Sequence, residues 1–331
     1  MENRQNQAPN LFDVMGKIGR LYTARLLEAQ KNFLGHLQQV AVDPKLSTGV
    51  PSENPWQTWA SYVTDAAQRS VLFWDTVVLN GYLFLNLIIG WNVLEAERQG
   101  VHYQSWLKPL IYISIPWAVS IHTVTAYLYC GLPGRGFWLT AILAPRFLSS
   151  AFASGPALLI LLCLVIRRVS NFDPGWKQIQ SLAVTVAYAI CINVFFLLCE
   201  VFVAFYSQIP EHMDHLKYLF VGLHGHGAYV PWMWASMTLM VIGIILLVNP
   251  VTRKTEGTLI VACLCVFFGC WIDKGMGMIS GGFVPNPLHE VNEYIPTLLE
   301  GLITIGVYAL GFFVLSILFK IAVSVKEEVR A

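Results

Sequence analysis

The 331-residue chain is 56% hydrophobic and 12% charged, with a formal net charge of +1. A soluble domain carries about 25% charged residues, so this composition argues against a water-covered globule, and the near-zero charge argues against nucleic acid as a partner. The seven cysteines (Cys130, Cys163, Cys191, Cys199, Cys263, Cys265 and Cys270) form no Cys-x-x-Cys pair. That argues against a zinc or iron–sulfur site in this chain and marks them as small buried hydrophobes.

The N-terminus is polar from Met1 to Asn10, with no apolar run behind it, so no signal peptide is expected. Leu11, Phe12, Met15, Ile18, Tyr22, Leu26, Phe33 and Leu37 then recur at helical spacing among Lys17, Arg20, Arg25 and Lys31. This is an amphipathic helix, either packed on a partner or lying on a membrane surface. Asp43 to Pro55 is rich in turn formers and reads as a linker. Residues 1–70 are thus an amphipathic or soluble segment, and residues 71–331 a multi-helix membrane domain. From Val71 onward, apolar runs of about 20 residues, the length of a membrane span, predict seven crossings: 71–94, 109–130, 147–166, 180–206, 230–249, 257–273 and 297–321. Backbone groups in lipid must be satisfied within the segment, so the crossings are helices. The expected fold is an all-α integral membrane bundle of about seven transmembrane helices, preceded by an amphipathic helical N-terminal segment.

The connections set the orientation. Let side A be where the first span begins. Side B collects Arg98 and Lys108, Arg167, Arg168 and Lys177, Arg253 and Lys254, then Lys320, Lys326 and Arg330. The side A loops between spans hold Arg135, Arg146, Lys217 and Lys274. By the positive-inside rule, side B and the C-terminus are cytoplasmic. The N-terminal segment carries further cations, but long extramembrane segments count less than short loops.

Ionisable residues inside spans are costly and usually functional. Asp75 lies near the side A start of the first span, and His122 about 12 Å below the side A end of the second. Arg146 opens the third on side A. Glu200 lies two turns from the side A end of the fourth, Asp273 and Lys274 close the sixth there, and Glu300 is one turn into the seventh. All fall in the side A half, which predicts a shared polar pocket. The competing expectations are local. Arg146 and Lys274 snorkel to the interface, Asp75 sits at a helix N-terminus, and Glu200 and His122 bond to a neighbouring helix.

Haem between helices takes two in-span histidines, and His122 is the one histidine inside a span, so no haem is expected. The His224-Gly-His226 pair is a weak metal signal, and no metal site is expected. A quinone fits better. Its ring needs an apolar slot, donors at its carbonyls and groups that handle protons, and a histidine titrates near neutral pH. The side A loops are rich in Gly, Pro and aromatics and read as a docking surface. Trp138, Trp232, Trp234 and Trp271 read as interfacial belt residues.

Several stretches carry a resemblance: Phe73–Asn86 (FWDTVVLNGYLFLN), Pro116–Thr125 (PWAVSIHTVT), Gly131–Arg135 (GLPGR), Ala144–Phe147 (APRF), Ser154–Pro156 (SGP), Trp271–Met276 (WIDKGM) and Glu293–Thr297 (EYIPT). Together they mark Leu72–Ala331 as similar to NrfD-type polysulfide reductase membrane subunits, and among them to DsrP-like subunits of sulfur-metabolism complexes. The resemblance implies a subunit of the bacterial inner membrane that binds menaquinone or ubiquinone. It implies electron exchange with a ferredoxin-like iron–sulfur subunit on the periplasmic side, within a complex with other redox subunits. Such a subunit has no redox cofactor of its own and is not a stand-alone enzyme, so no catalytic residue is assigned. The quinone-site residues it implies are His122, Asp75, Arg146 and Asp273. Glu200 and Glu300 follow from depth and are assigned to proton transfer.

Residues 1–70 stand where members of that family have further helices. Pro55–Gln68 is similar instead to the N-terminal region of polyhydroxyalkanoate-synthase-like proteins, although no Gly-x-Ser-x-Gly or Gly-x-Cys-x-Gly elbow is present. That combination implies a fusion near Val71–Thr76 and an incomplete first bundle. The alternatives to a quinone subunit are a proton- or ion-translocating membrane subunit and a non-functional fusion.

Overall fold

The computed structural model describes residues 55–132, 135–169, 173–286, 289–293 and 297–330. The amphipathic helix of residues 11–37 and the linker lie outside the described residues. Nine helices are found among the described ones: α1 (Pro55–Arg98), α2 (Leu107–Cys130), α3 (Leu143–Val169), α4 (Trp176–Ser207), α5 (Pro210–Phe220), α6 (Val230–Val248), α7 (Pro250–Lys254), α8 (Glu256–Ile272) and α9 (Leu298–Arg330). No strand occurs among the described residues, and an isolated bridge joins Leu223 to His226. The chain divides into two compact units, Met1–Val63 and Thr64–Ala331. Of the first, residues 55–63 are described, and they are helical.

Seven helical segments are long and apolar enough to cross a membrane: 69–98, 107–130, 143–169, 176–207, 230–248, 256–283 and 298–325. They coincide with the seven predicted crossings to within a few residues, except at the sixth. There the helix continues past Ile272 through wide π-helical turns, Asp273–Ser280, and a single 3₁₀ turn at Gly281–Phe283. No helix end falls at residues 70–71, because α1 runs unbroken from Pro55 to Arg98.

The core sits in the four-helix bundle of α3, α4, α6 and α8. In lipid, helices are drawn together by close packing rather than by the hydrophobic effect, so small residues mark their contacts. Ala153, Ala157, Ala183 and Ala262 are fully buried. At the α6–α8 crossing, a Cβ on Gly269 would stand 2.8 Å from Met240 Cγ and 3.2 Å from the Met240 backbone nitrogen. The hydroxyl of Ser236 donates to the Gly269 carbonyl there at 2.7 Å.

α1 joins α2 through Trp117, whose indole N–H donates to the Val78 carbonyl at 2.9 Å. Gly81 makes room for that ring, since a Cβ there would fall 2.4 Å from Trp117 Cζ2. α9 meets α8 through a 3.1 Å hydrogen bond from Trp271 Nε1 to the Tyr308 hydroxyl. The large apolar side chains of α1 and α9 are mostly exposed, as lipid-facing surfaces require.

A cap closes the side A end of the bundle. It contains the 3₁₀ turn Gly136–Trp138, α5, and the segment Asp273–Phe283. α5 was not predicted, although Pro210 at its first turn, Glu211 beside it and Lys217 in its last turn are helix-end signals. Trp138 is 1% exposed and donates from its indole to the Met278 carbonyl at 2.8 Å. It is therefore a core residue and not an interfacial belt residue. Trp232, Trp234 and Trp271 are exposed.

Candidate functional site

Arg146 lies one turn into α3, after Pro145, which a helix tolerates in its first turn. Its guanidinium points inward and is 2% exposed. Nη1 binds Glu200 Oε2 on α4, and Nη2 donates to Asp273 Oδ1 at the end of α8, 2.7 Å away. Asp273 is fully buried and Glu200 is 9% exposed. Lys274 Nζ stands 3.1 Å from the second Asp273 oxygen. One arginine fork therefore ties three helices together, as a planar guanidinium with its donors in fixed directions can.

One guanidinium, one ammonium and two carboxylates give the cluster a formal charge of zero. Burying four charges costs free energy that their mutual attraction offsets only when geometry is good, so such a cluster is weak evidence of stability and stronger evidence of use. Its hydrogen bonding is incomplete. Arg146 Nε, Lys274 Nζ and Asp273 Oδ2 are buried and have no aligned hydrogen-bond partner among the described residues. Below the cluster the polar line continues. Ser149 donates from its hydroxyl to the Asn193 carboxamide oxygen at 3.4 Å, and Asn193 Nδ2 lies 3.6 Å from Met240 Sδ. Ser149 and Asn193 are both buried.

The structure thus brings Arg146, Glu200 and Asp273 together and adds Lys274. Arg146 and Lys274 do not snorkel, because their charged ends turn toward buried carboxylates. The other predicted site residues lie apart from this network. Asp75 is not at a helix N-terminus, since α1 begins at Pro55, and its Oδ1 accepts from the Thr125 hydroxyl of α2 at 3.3 Å. His122 is half-buried on α2, about 10 Å deeper than Tyr129 at 1.5 Å per residue. Glu300 forms a reciprocal cap at the start of α9. Its Oε2 accepts from the Thr297 backbone N–H at 2.7 Å and from the Thr297 hydroxyl at 2.9 Å.

Ser149, Asn193 and Lys274 were missed as site residues. Asn193 carried a signal, a carboxamide in the middle of an apolar run; the serine did not, because hydroxyls are common in membrane helices. Among the described residues no group of three or more His, Cys, Asp or Glu is placed to hold a metal ion.

The cap above the cluster holds its own titratable groups. His215 is buried, with Nδ1 2.6 Å from the Val284 carbonyl and 3.2 Å from that of Gly281. Burial pushes its pKa below the ordinary value, and the charges of Arg135 and His212 push the same way. Glu293 accepts from the Ala228 backbone N–H at 3.0 Å and from the Tyr218 hydroxyl at 3.2 Å. The Ala228 N–H is the main cause that holds its carboxyl below the usual range. His226 Nδ1 lies 3.6 Å from the other Glu293 oxygen. Arg135 spans the cap, donating to the Phe283 carbonyl at 2.9 Å.

Among curated proteins, the chain is 22% identical to a protein of Halobacterium salinarum named as a membrane subunit of dimethyl sulfoxide reductase, over 76% of this chain and 65% of that protein. It is 24% identical to a selenate reductase subunit of Mesobacillus selenatarsenatis, over 68% of this chain and 53% of that one. The chain therefore spans somewhat over half the length of the curated relatives it matches. The family model "Polysulphide reductase, NrfD" matches residues 51–283. The match takes in α1 through α8 and the whole Arg146–Glu200–Asp273–Lys274 cluster. It begins 21 residues before Leu72, so Pro55–Gln68 lies inside it. A multi-pass helical membrane protein that matches over most of its length, this chain belongs to the NrfD polysulphide reductase family.

Proposed function

We propose that the protein is the quinone-interacting membrane subunit of a redox complex, exchanging electrons with an iron–sulfur subunit docked on its side A surface. The observation that carries this reading is the buried, formally neutral four-charge cluster inside the side A half of the membrane, with unmet donors at Lys274 Nζ and Arg146 Nε. A quinone carbonyl is a neutral acceptor, which is what those donors lack. The residues present therefore fit the group. Both curated relatives are named as subunits of reductases, which supports a multi-subunit assembly.

A bound quinone would supply carriage of two electrons and two protons. The chain's own residues hold and steer. Arg146 fixes the two carboxylates across α3, α4 and α8. Glu200 Oε1, the oxygen not engaged by Arg146, is a place to hold a proton, and Ser149 and Asn193 extend a polar route inward. His122 and Asp75 border the same half of the membrane from α2 and α1. Glu300, set at the entrance of α9, would serve proton exchange at the surface. Menaquinone and ubiquinone both satisfy these contacts. On this reading side A is the periplasmic face of a bacterial inner membrane, and other redox subunits complete the assembly.

The test is a mass-spectrometric inventory of lipids and proteins that accompany the gently purified chain. A bound quinone and an iron–sulfur protein are expected. A folded preparation carrying neither overturns the reading. A second reading, a proton- or ion-translocating subunit, is favoured by the buried Ser149–Asn193 line. Proton uptake into liposomes holding this chain and no redox partner would support it.

A further inference from the structure

The buried cluster offers more donors than its carboxylates use. Arg146 commits both terminal nitrogens, one to Glu200 and one to Asp273. Lys274 Nζ is enclosed by protein and makes the 3.1 Å ion pair with Asp273, but no aligned hydrogen bond among the described residues. An ammonium carries three N–H donors and no acceptor, and unmet donors in an apolar setting cost free energy. Because the four charges sum formally to zero, an anion is not what the site lacks. It lacks a neutral acceptor.

The surroundings are flat and apolar. Lys274 Nζ lies 5.9 Å from the centroid of the Phe147 ring, and that ring stacks on Tyr129 with centroids 5.9 Å apart and planes 14° apart. The next residue along the wide turns is Gly275. A Cβ built there meets no atom within 4 Å, so open space adjoins the ammonium. Its neighbour Gly277 is filled in, with Met233 Sδ 2.7 Å from the corresponding position.

We propose that Lys274 Nζ donates the hydrogen bond that holds a carbonyl oxygen of the quinone, with the ring lying over Gly275 beside Phe147. The proposal rests on the quinone reading above and deepens it. Arg146 and Asp273 become positioning residues that fix the ammonium without touching the ring, while Lys274 becomes the contact that favours a neutral, carbonyl-bearing head over an anion.

The experiment uses the full chain in nanodiscs and a short-tailed 1,4-naphthoquinone with ¹³C-labelled carbonyls. Affinity is read by quenching of tryptophan emission, and the carbonyl stretch by infrared difference spectroscopy. In the unmodified protein the stretch should fall below its value in empty nanodiscs. Lys274→Met should weaken binding by at least about tenfold, the worth of a charge-assisted hydrogen bond, and return the stretch to the lipid value. Gly275→Leu leaves all four charges in place and should abolish binding by filling the space; it decides the matter if Lys274→Met does not fold. Binding and stretch unchanged in either folded variant overturn the assignment of Lys274 and leave the quinone reading standing. An unmodified protein that binds no quinone overturns both.

Discussion

Replacing Arg146 with methionine would leave Glu200 and Asp273 buried, close together and without their shared cation. Removing one partner of a buried ion pair costs about 3–5 kcal/mol, far more than the pair contributes net. Arg146→Met should therefore unfold at much lower temperature in detergent. Glu200→Gln keeps a hydrogen-bonding side chain and should cost about 1–3 kcal/mol. Equal melting of the two variants would refute this ordering. His215 gives a prediction in pH. Its folded pKa lies below the ordinary value of about 6.5, because burial disfavours the imidazolium. The unfolded chain then binds the extra proton first, so the stabilisation is present above about pH 6.5 and is lost as pH falls through that value. Hydrogen exchange in peptides 214–220 and 281–284 should speed up between pH 7.5 and 5.5 beyond the intrinsic rate change, and should do so less in His215→Gln. Arg146, Glu200 and Asp273 were legible in the sequence because charges in apolar runs are rare and their depth follows from the helical rise. That they meet was not legible, since the rotation of each helix decides it. Lys274 was hidden for a related reason. The apolar run ends beside it, so it reads as an interfacial cation, yet the π turns carry the helix on to Ser280 and enclose it.

The helices themselves were read from length and polarity, and the spans emerge within a few residues. Packing between them depends on single glycines that no hydropathy pattern ranks. Gly269 and Gly306 look alike in sequence, each alone in an apolar helix. In the structure a Cβ on Gly269 presses on Met240 and on the Ser236 carbonyl, 3.3 Å away, whereas Gly306 has nothing within 4 Å. Gly269→Ala should part α6 from α8, strain the Ser236 hydrogen bond and cost about 1–3 kcal/mol by overpacking. Gly306→Ala should be neutral or slightly stabilising, because alanine is the better helix former. Thermal unfolding of both variants in one detergent checks the contrast. The cap was less legible than the spans. α5 and the turn holding Trp138 are short and mixed in polarity, and what fixes them is contact with the ends of other helices, such as the Trp138 indole against Gly282.

At the scale of the whole chain, the structure changes how the positive-inside count should be weighed. The side A loops hold Arg135, Arg146, Lys217 and Lys274. Two of these, Arg146 and Lys274, are buried against Glu200 and Asp273, so they offer little net charge to the translocation machinery or to anionic lipid. Arg135 and Lys217 remain. On side B, Arg98, Arg167 and Arg168 are exposed or partly so, and the pairing of Arg167 and Arg168 with Glu256 neutralises a fraction of that charge at the surface. Exposed pairs of this kind are weak and screened by salt, so the cationic character of the side B loops survives. The asymmetry is therefore larger than the raw count suggests, and burial of the cluster favours a cytoplasmic side B. Alkaline phosphatase folds to an active enzyme only after export. Fused after Gly222 on side A it should be active, and fused after Asp173 on side B inactive, while a fluorescent protein at the C-terminus should light up. The reverse pattern would place the cluster in the cytoplasmic half of the membrane and move the docking face for an iron–sulfur partner to the cytoplasm.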